Sequence, residues 1–320
     1  MKGLSTLLLP LALMTCINAS ASGQETLPSW AYPVNPPDFK APPDDGTLRK
    51  VPKSDLTLTL TQVRDLFYSP DWHPSDHPKQ PDVVARGRKP DLYACGFCHR
   101  ADGPGGPENA NLMGLPIAYI KQQIADFKSG ARKSSIMNRA PMTLKVKLVN
   151  ALTDEEVAAA AAYFSSIKPR PVIRVVERKM VPKTVVAAWF LVKDKAGGSE
   201  PIGDRIIEIA DDPERFVSRD SRVTFTANVP VGSIKKGRAL ATRKTASTVA
   251  CGACHGANLK GKDDIPGIAG RSPTYIFRQL YDYKHGVRAG PLAAAMMPSV
   301  EKLTTADMIA LAAYAGSLKP

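Results

Sequence analysis

Two short runs hold the most reactive side chains of this sequence at identical spacing: Cys95-Gly96-Phe97-Cys98-His99 and Cys251-Gly252-Ala253-Cys254-His255. Two thiols separated by two residues, with an imidazole directly after the second, form the attachment signature of a c-type haem. The thiols make thioether bonds to the porphyrin vinyl groups, and the adjacent His99 or His255 is placed to ligate iron from the proximal face. A single C-x-x-C-H also suits a redox dithiol. Here the five cysteines leave no spare thiol, because the fifth, Cys16, lies in an N-terminal leader. The expectation is two covalently bound haem c groups, attached at Cys95 and Cys98 and at Cys251 and Cys254.

The leader covers residues 1–23. Lys2 gives a positive start, Leu4 to Ile17 an apolar run, and Ala19-Ser20-Ala21 a small-residue cleavage signal, the pattern of a secretory signal cut near Ala21. The run is too short for a spanning helix, and no later stretch reaches about 18 uninterrupted apolar residues. A periplasmic protein is expected. Such a compartment also permits disulfides, but the histidine after each cysteine pair favours haem. The formal charge is +13, from 43 basic and 30 acidic residues, and loss of Lys2 leaves 42 against 30. Roughly four haem propionates would still leave the holoprotein basic. Export and the lack of a nucleic-acid-binding motif exclude DNA and RNA as partners. An acidic redox protein or an anionic membrane surface suits the charge, as do simple solvated faces.

The two haem units belong to a duplicated segment. At an offset of 156, Ala94-Cys95-Gly96 falls on Ala250-Cys251-Gly252, Tyr119-Ile120 on Tyr275-Ile276 and Gln123 on Gln279. In the same register Asp126, Lys128, Gly130 and Arg132 fall on Asp282, Lys284, Gly286 and Arg288. At an offset of 151, Leu152-Thr153 falls on Leu303-Thr304 and Lys168-Pro169 on Lys319-Pro320, so the first copy has five extra residues between the registers. Tyr119, Ile120, Gln123, Ile124 and Phe127 recur at helical spacing, and Gly130 stops the helix. Thr153 with Glu156, and Thr304 with Asp307, open the last helix of each copy. Short helices around Val83–Gly87 and Ile234–Leu240 precede the haem units.

Two stretches fall outside the repeat. Residues 24–80 are rich in proline and read as an irregular surface arm carrying Trp30, Tyr32, Trp72, His73 and His77. In residues 170–231, Val172–Val176, Val185–Val192, Arg205–Ile209 and Val223–Ala227 read as strands. This insert is expected to form a small sheet that sets the spacing of the copies, or to dock a partner. The chain is thus mainly α with a small β-containing insert, and its units are 24–80, 81–169, 170–231 and 232–320.

Each copy resembles a class I cytochrome c domain: C-x-x-C-H, a glycine-containing loop, a middle helix ending in Lys-x-Gly-x-Arg, a Met, and a final Leu-Thr…Ala-Tyr helix. The pair resembles the two-domain dihaem cytochromes c of the c4-like and c553-like kind, over about 83–169 and 232–320. The resemblance implies that a Met from the loop before the last helix fills the sixth iron position, raising the haem potential. Met142 and Met297 are the expected ligands, with Met137 as the other candidate in the first copy and Met296, Met113 and Met308 as packing residues. It also implies a proline carbonyl bonded to the proximal imidazole. Pro266 fits this role, but Ala110 stands in register in the first copy, which is expected to make the haems unequal. His285 reads as a surface residue.

The function implied is single-electron transfer between an exported donor and an acceptor, with a terminal oxidase or a periplasmic dehydrogenase as the redox partner. A dihaem peroxidase is the alternative enzyme, needing one open distal site, and a cytochrome subunit of a periplasmic dehydrogenase is the alternative assembly. No catalytic residue is assigned. Gly256…Gly261-Lys262 begins like a phosphate-binding loop but continues into Asp263.

Overall fold

The computed structural model describes residues 27–242 and 249–320, so the leader lies outside the described residues. The arm is irregular, because proline lacks an amide donor and resists regular pairing. It contains one α-helical turn, α1 (Leu60–Val63), opened by a capping box between Thr59 and Gln62, and one 3₁₀ turn, Pro74–Asp76. It does not simply lie on the surface, as the sequence reading expected. Val51, Leu58, Val63 and Trp72 bury together as a small core. Ala31 and Tyr32 enter the core of the second copy, where the Tyr32 hydroxyl donates to Asp282 Oδ1 at 2.7 Å.

The first copy holds α2 (Asp82–Ala85), α3 (Cys95–His99), α4 (Ile117–Lys128), α5 (Ala140–Ala151) and α6 (Asp154–Ser166). Helix α6 starts at the expected capping box, with Asp154, Glu155 and Glu156 in its first turn, where carboxylates offset the helix dipole. Its Val157, Ala160, Ala161 and Phe164 bury against Leu148 and Val149 of α5 and Ile120 of α4. Helix α5 occupies the region expected to be a ligand-bearing loop. Pro141 sits in its first turn, where a missing amide costs nothing. The five extra residues therefore lengthen a helix. At this point the second copy has only a 3₁₀ turn, Ala293–Ala295, and a four-residue helix.

The insert holds β1 (Ile173–Glu177), β2 (Met180–Pro182), β3 (Thr184–Ala187), β4 (Phe190–Lys193), β5 (Ser199–Pro201), β6 (Ile207–Ala210), α7 (Pro213–Val217) and β7 (Phe225–Val229). The central sheet has the order β1-β7-β6, with β1 parallel and β6 antiparallel to β7. The run read as one strand over Val185–Val192 is a hairpin. It reverses at Ala188 and Trp189, with φ of 48° and 64°, the left-handed pair that a two-residue hairpin turn needs. Asn35 of the arm accepts the Trp189 amide at 3.1 Å. Neither Ala nor Trp is a turn-forming residue, so the break was invisible in the sequence.

The second copy holds α8 (Ser233–Thr242), α9 (Gly252–His255), the hairpin β8 (Gly261–Lys262) and β9 (Ile265–Pro266), α10 (Pro273–Lys284), α11 (Met297–Val300) and α12 (Thr305–Ser317). The hairpin takes the place of the phosphate-loop lookalike. Ala227 and Val229 of β7 share a core with Met308, Ile309, Ala312 and Ala313 of α12, which joins the insert to the second copy. Glu208 of β6 is buried and accepts from Ser272 Oγ at 2.8 Å and Thr274 N at 3.0 Å, at the start of α10. Among the described residues no helix is long and apolar enough to cross a membrane.

The two copies also meet directly, about a local two-fold. Lys133 N donates to Val287 O and Ala289 N to Ala131 O, both at 2.8 Å, with Arg132 and Arg288 paired between them. These are matched residues of the repeat.

Candidate functional site

Each haem-attachment motif is a single helical turn, α3 or α9, ended by a residue with positive φ: Arg100 at 70° and Gly256 at 79°. The chain then loops back to place a carbonyl against the imidazole. His99 Nδ1 lies 2.8 Å from Ala110 O, and His255 Nδ1 lies 2.8 Å from Pro266 O. A carbonyl only accepts, so Nδ1 carries the proton and Nε2 is left with a free lone pair. The two distances are equal because the acceptor is backbone. Ala110 thus supplies the same carbonyl contact in the first copy that Pro266 supplies in the second.

Electrostatics keep both rings neutral. Burial, helped by the Lys145 ammonium, pushes His99 down to about 3 against the opposing bond to Ala110. Burial likewise lowers His255. A neutral imidazole is the form that binds iron. The thiols move the other way: burial pushes Cys95 up to about 11, and Cys98 and Cys251 also rise through desolvation. A redox dithiol needs a stabilised thiolate and a depressed value, so these pairs do not suit that chemistry.

The sixth-ligand region differs between copies. Met297 is the first residue of α11, half-buried, and packs with Met296 against the core of the second copy. In the first copy Met142 lies in the first turn of α5, and Met137 is 44% exposed. One turn beyond Met142, Lys145 brings Nζ to 3.1 Å from His99 Nε2. Sequence reasoning missed Lys145, although the extra residues that lengthen α5 were the signal for it. Met113 and Met308 are fully buried packing residues. Histidines 73 and 77 are structural: His73 Nε2 meets Asp220 Oδ1 at 3.0 Å and His77 Nε2 meets Asp71 Oδ1 at 3.1 Å. His285 stacks on Tyr281 at 4.0 Å.

Between the two imidazoles lies a cluster built from the repeat. Arg132 donates to Gln123 Oε1 at 2.7 Å and crosses to Tyr275 OH and Gln279 Oε1, both at 2.9 Å. Arg288 donates to Gln279 Oε1 at 3.0 Å and crosses to Tyr119 OH at 2.9 Å and Gln123 Oε1 at 2.7 Å. Burial raises the Tyr119 hydroxyl, but the two guanidiniums outweigh it and hold the group below its ordinary value. Both arginines are buried, and among the described residues neither has a carboxylate within ion-pair distance. Arg132 acts on His99 and Arg288 on His255 through space. Buried unpaired charge is expensive, and two haems with their propionates would supply the missing anions. The residues present therefore fit the cofactor: paired thiols, a neutral imidazole with Nε2 unprotonated, and buried cations beside each.

Two stretches, 84–168 and 234–319, match the Cytochrome c family. They make up more than half of the 320 residues, and the chain belongs to the cytochrome c family. A thiosulfate dehydrogenase electron acceptor of Thiomonas intermedia (strain K12) is 26% identical over 228 residues, which is 70% of this chain and 78% of the relative. Cytochrome c4 of Azotobacter vinelandii is 23% identical over 225 residues, or 69% of this chain and 82% of the relative. Reduced cytochrome c4 from Pseudomonas stutzeri, a solved structure, is 22% identical over 70% of this chain and 93% of its own, with a TM-score of 0.45. A thiosulfate dehydrogenase from Marichromatium purpuratum matches 70% of this chain but 36% of its own longer one, at 26% identity and a TM-score of 0.47. The protein is a dihaem electron-transfer cytochrome, a carrier with two covalently bound haem c groups that works with redox partners.

Proposed function

We propose that this cytochrome carries single electrons in the periplasm, from a dehydrogenase to an acceptor such as a terminal oxidase, after its leader is cut near Ala21. The observation that carries the reading is the pair of neutral imidazoles, each fixed by a 2.8 Å Nδ1–carbonyl bond, on two copies joined through Arg132 and Arg288. When bound, each haem supplies a one-electron iron couple. The chain would hold each group by its Cys pair, with His99 and Met142 binding iron in the first copy and His255 and Met297 in the second. The carbonyl bonds keep each imidazole from rotating, which limits reorganisation on redox change. Arg132 and Arg288 favour the reduced, less positive state of the site beside each. Relatives named as acceptors for thiosulfate dehydrogenase make an exported dehydrogenase of a reduced sulfur compound the favoured donor. The basic charge of +13 favours partners with acidic docking faces.

Spectroelectrochemistry with peroxide turnover tests this. Two low-spin haems, each titrating with one electron and without peroxide consumption, are expected. A high-spin haem that consumes peroxide rapidly would overturn the reading in favour of a peroxidase.

A further inference from the structure

The two attachment motifs differ in what covers them. In the first copy Gly96, Phe97, Arg100 and Ala101 are buried, whereas the matching Gly252 and Gly256 are half-exposed and Ala253, Cys254 and Ala257 are exposed. The cover comes from outside the repeat. The arm supplies Leu66, whose carbonyl accepts the Ala94 amide at 2.9 Å, and Ser69, which lies so close to Gly96 that a Cβ there would sit 2.2 Å from its Oγ. The insert supplies Arg219, stacked 3.5 Å over the Phe97 ring and donating to Phe97 O at 2.8 Å. It also supplies Phe216, whose ring lies 4.8 Å beneath the Arg100 guanidinium. Arm and insert are locked together over this face by Trp72 Nε1 donating to Ser218 O at 2.7 Å and by the His73–Asp220 pair.

Charge follows the same division. Residues 232–320 hold 13 basic and 5 acidic residues, a balance of +8. The arm and insert over 24–80 and 170–231 hold 17 of each and are neutral as a unit. Around Cys254, Lys260 and Lys262 are exposed on the loop and hairpin after the motif, with Asp263 and Asp264 at the tip as the acidic exceptions. Lys235 and Arg238 are exposed on α8.

We infer that redox partners dock on the second copy, on the rim around Cys254, and that the partner that fits is a protein with an acidic face. The first copy has lost this surface to the arm and insert, and reaches the outside through the Arg132–Arg288 junction with the second. This rests on the carrier reading given above.

The test uses the full-length holoprotein. In the reduced, diamagnetic state an anionic gadolinium chelate should broaden NMR signals of residues 253–262 while sparing 96–101; equal or stronger broadening at 96–101 would overturn the assignment. In stopped flow, hexacyanoferrate(III) takes one electron per ion from the reduced protein. Lys260→Glu with Lys262→Glu should slow this by about tenfold at low ionic strength, the lower end of electrostatic steering, and the difference should vanish in salt. Lys50→Glu with Lys53→Glu, exposed on the arm, should leave the rate unchanged. If the arm variant slows the reaction and the Lys260/Lys262 variant does not, the docking surface is wrong and the carrier reading stands. A protein that exchanges no electrons with either form of hexacyanoferrate would sink both.

Discussion

Gly237→Ala sets helix propensity against packing and separates them by sign. Helix α8 turns Ser233, Gly237 and Ala241 inward, one residue per turn. A Cβ at Gly237 would lie 1.9 Å from the Ala310 carbonyl oxygen, 2.5 Å from its carbon and 2.7 Å from Tyr314 Cβ, all on α12. None of these atoms can swing away, because two are backbone and the third is fixed to it. Restoring even a 3.0 Å approach requires α8 to retreat from α12 by about an ångström. Propensity alone would make alanine the better residue by about 0.8–1.0 kcal/mol. Overpacking a rigid contact costs about 1–3 kcal/mol, occasionally more, and the upper end applies here, leaving a net loss of about 2 kcal/mol. For a domain of roughly 60–100 residues each kcal/mol moves Tm by about 4–8 °C, so a fall of roughly 8–16 °C is expected for the second copy. Ala241 O accepts the Cys251 amide at 2.9 Å, so the displaced helix also pulls on the attachment motif. Thermal unfolding followed by far-UV and Soret circular dichroism reads both effects. An unchanged or raised Tm would refute the close helix crossing as the reason for glycine.

Met297→Ala should leave one haem high-spin in EPR and visible spectra. Met142→Ala should stay low-spin, because the Lys145 amine one turn away can bind iron, and only the added Lys145→Ala change should open that site; a high-spin Met142→Ala single variant would exclude the lysine. Arg132→Gln and Arg288→Gln each remove a buried cation beside one imidazole, so each should lower the potential of its own haem in a redox titration, and a rise in either case would contradict the electrostatics. Burial raises the Glu208 carboxyl above its ordinary 4.5, against the bonds from Thr274 and Ser272. The folded state therefore keeps this proton to higher pH than the unfolded chain, and stability falls as pH rises through that interval. Glu208→Gln should remove the slope and gain on wild type as pH rises above about 4.5 in chemical denaturation; a pH-independent difference would refute the shift.

The haem-attachment motifs were legible because they are written in contiguous residues, and the repeat carried the Cys and His assignments from one copy to the other. The capping boxes at Thr153 and Thr304 were equally local, and both appear with their reciprocal bonds. What stayed hidden depends on distant partners. The turn at Ala188-Trp189 is held by Asn35, far away in sequence. The arm read as surface because its prolines dominate its composition, while the seats of Trp72 and Tyr32 lie in the insert and the second copy. Arg132 and Arg288 aligned in the repeat, but their meeting across the junction could not be seen from alignment alone.

The same distance effect explains why a duplicated fold became unequal. In the second copy the amide at the start of the motif is held by the last turn of α8, a ten-residue helix lying on α12. In the first copy Pro78 and Pro81 come just before α2, which is four residues long, since proline has no amide to continue a helix backward. In the first copy an amide one position earlier, that of Ala94, is held instead by Leu66 of the arm. A shortened helix leaves the motif side of the first copy unclad, and apolar residues such as Phe97 need cover that the repeat no longer supplies. The arm and insert provide it, with Arg219 capping the ring. The second copy keeps its helix and has Ala253 where the first has Phe97, so it needs no such cover and its attachment rim stays open.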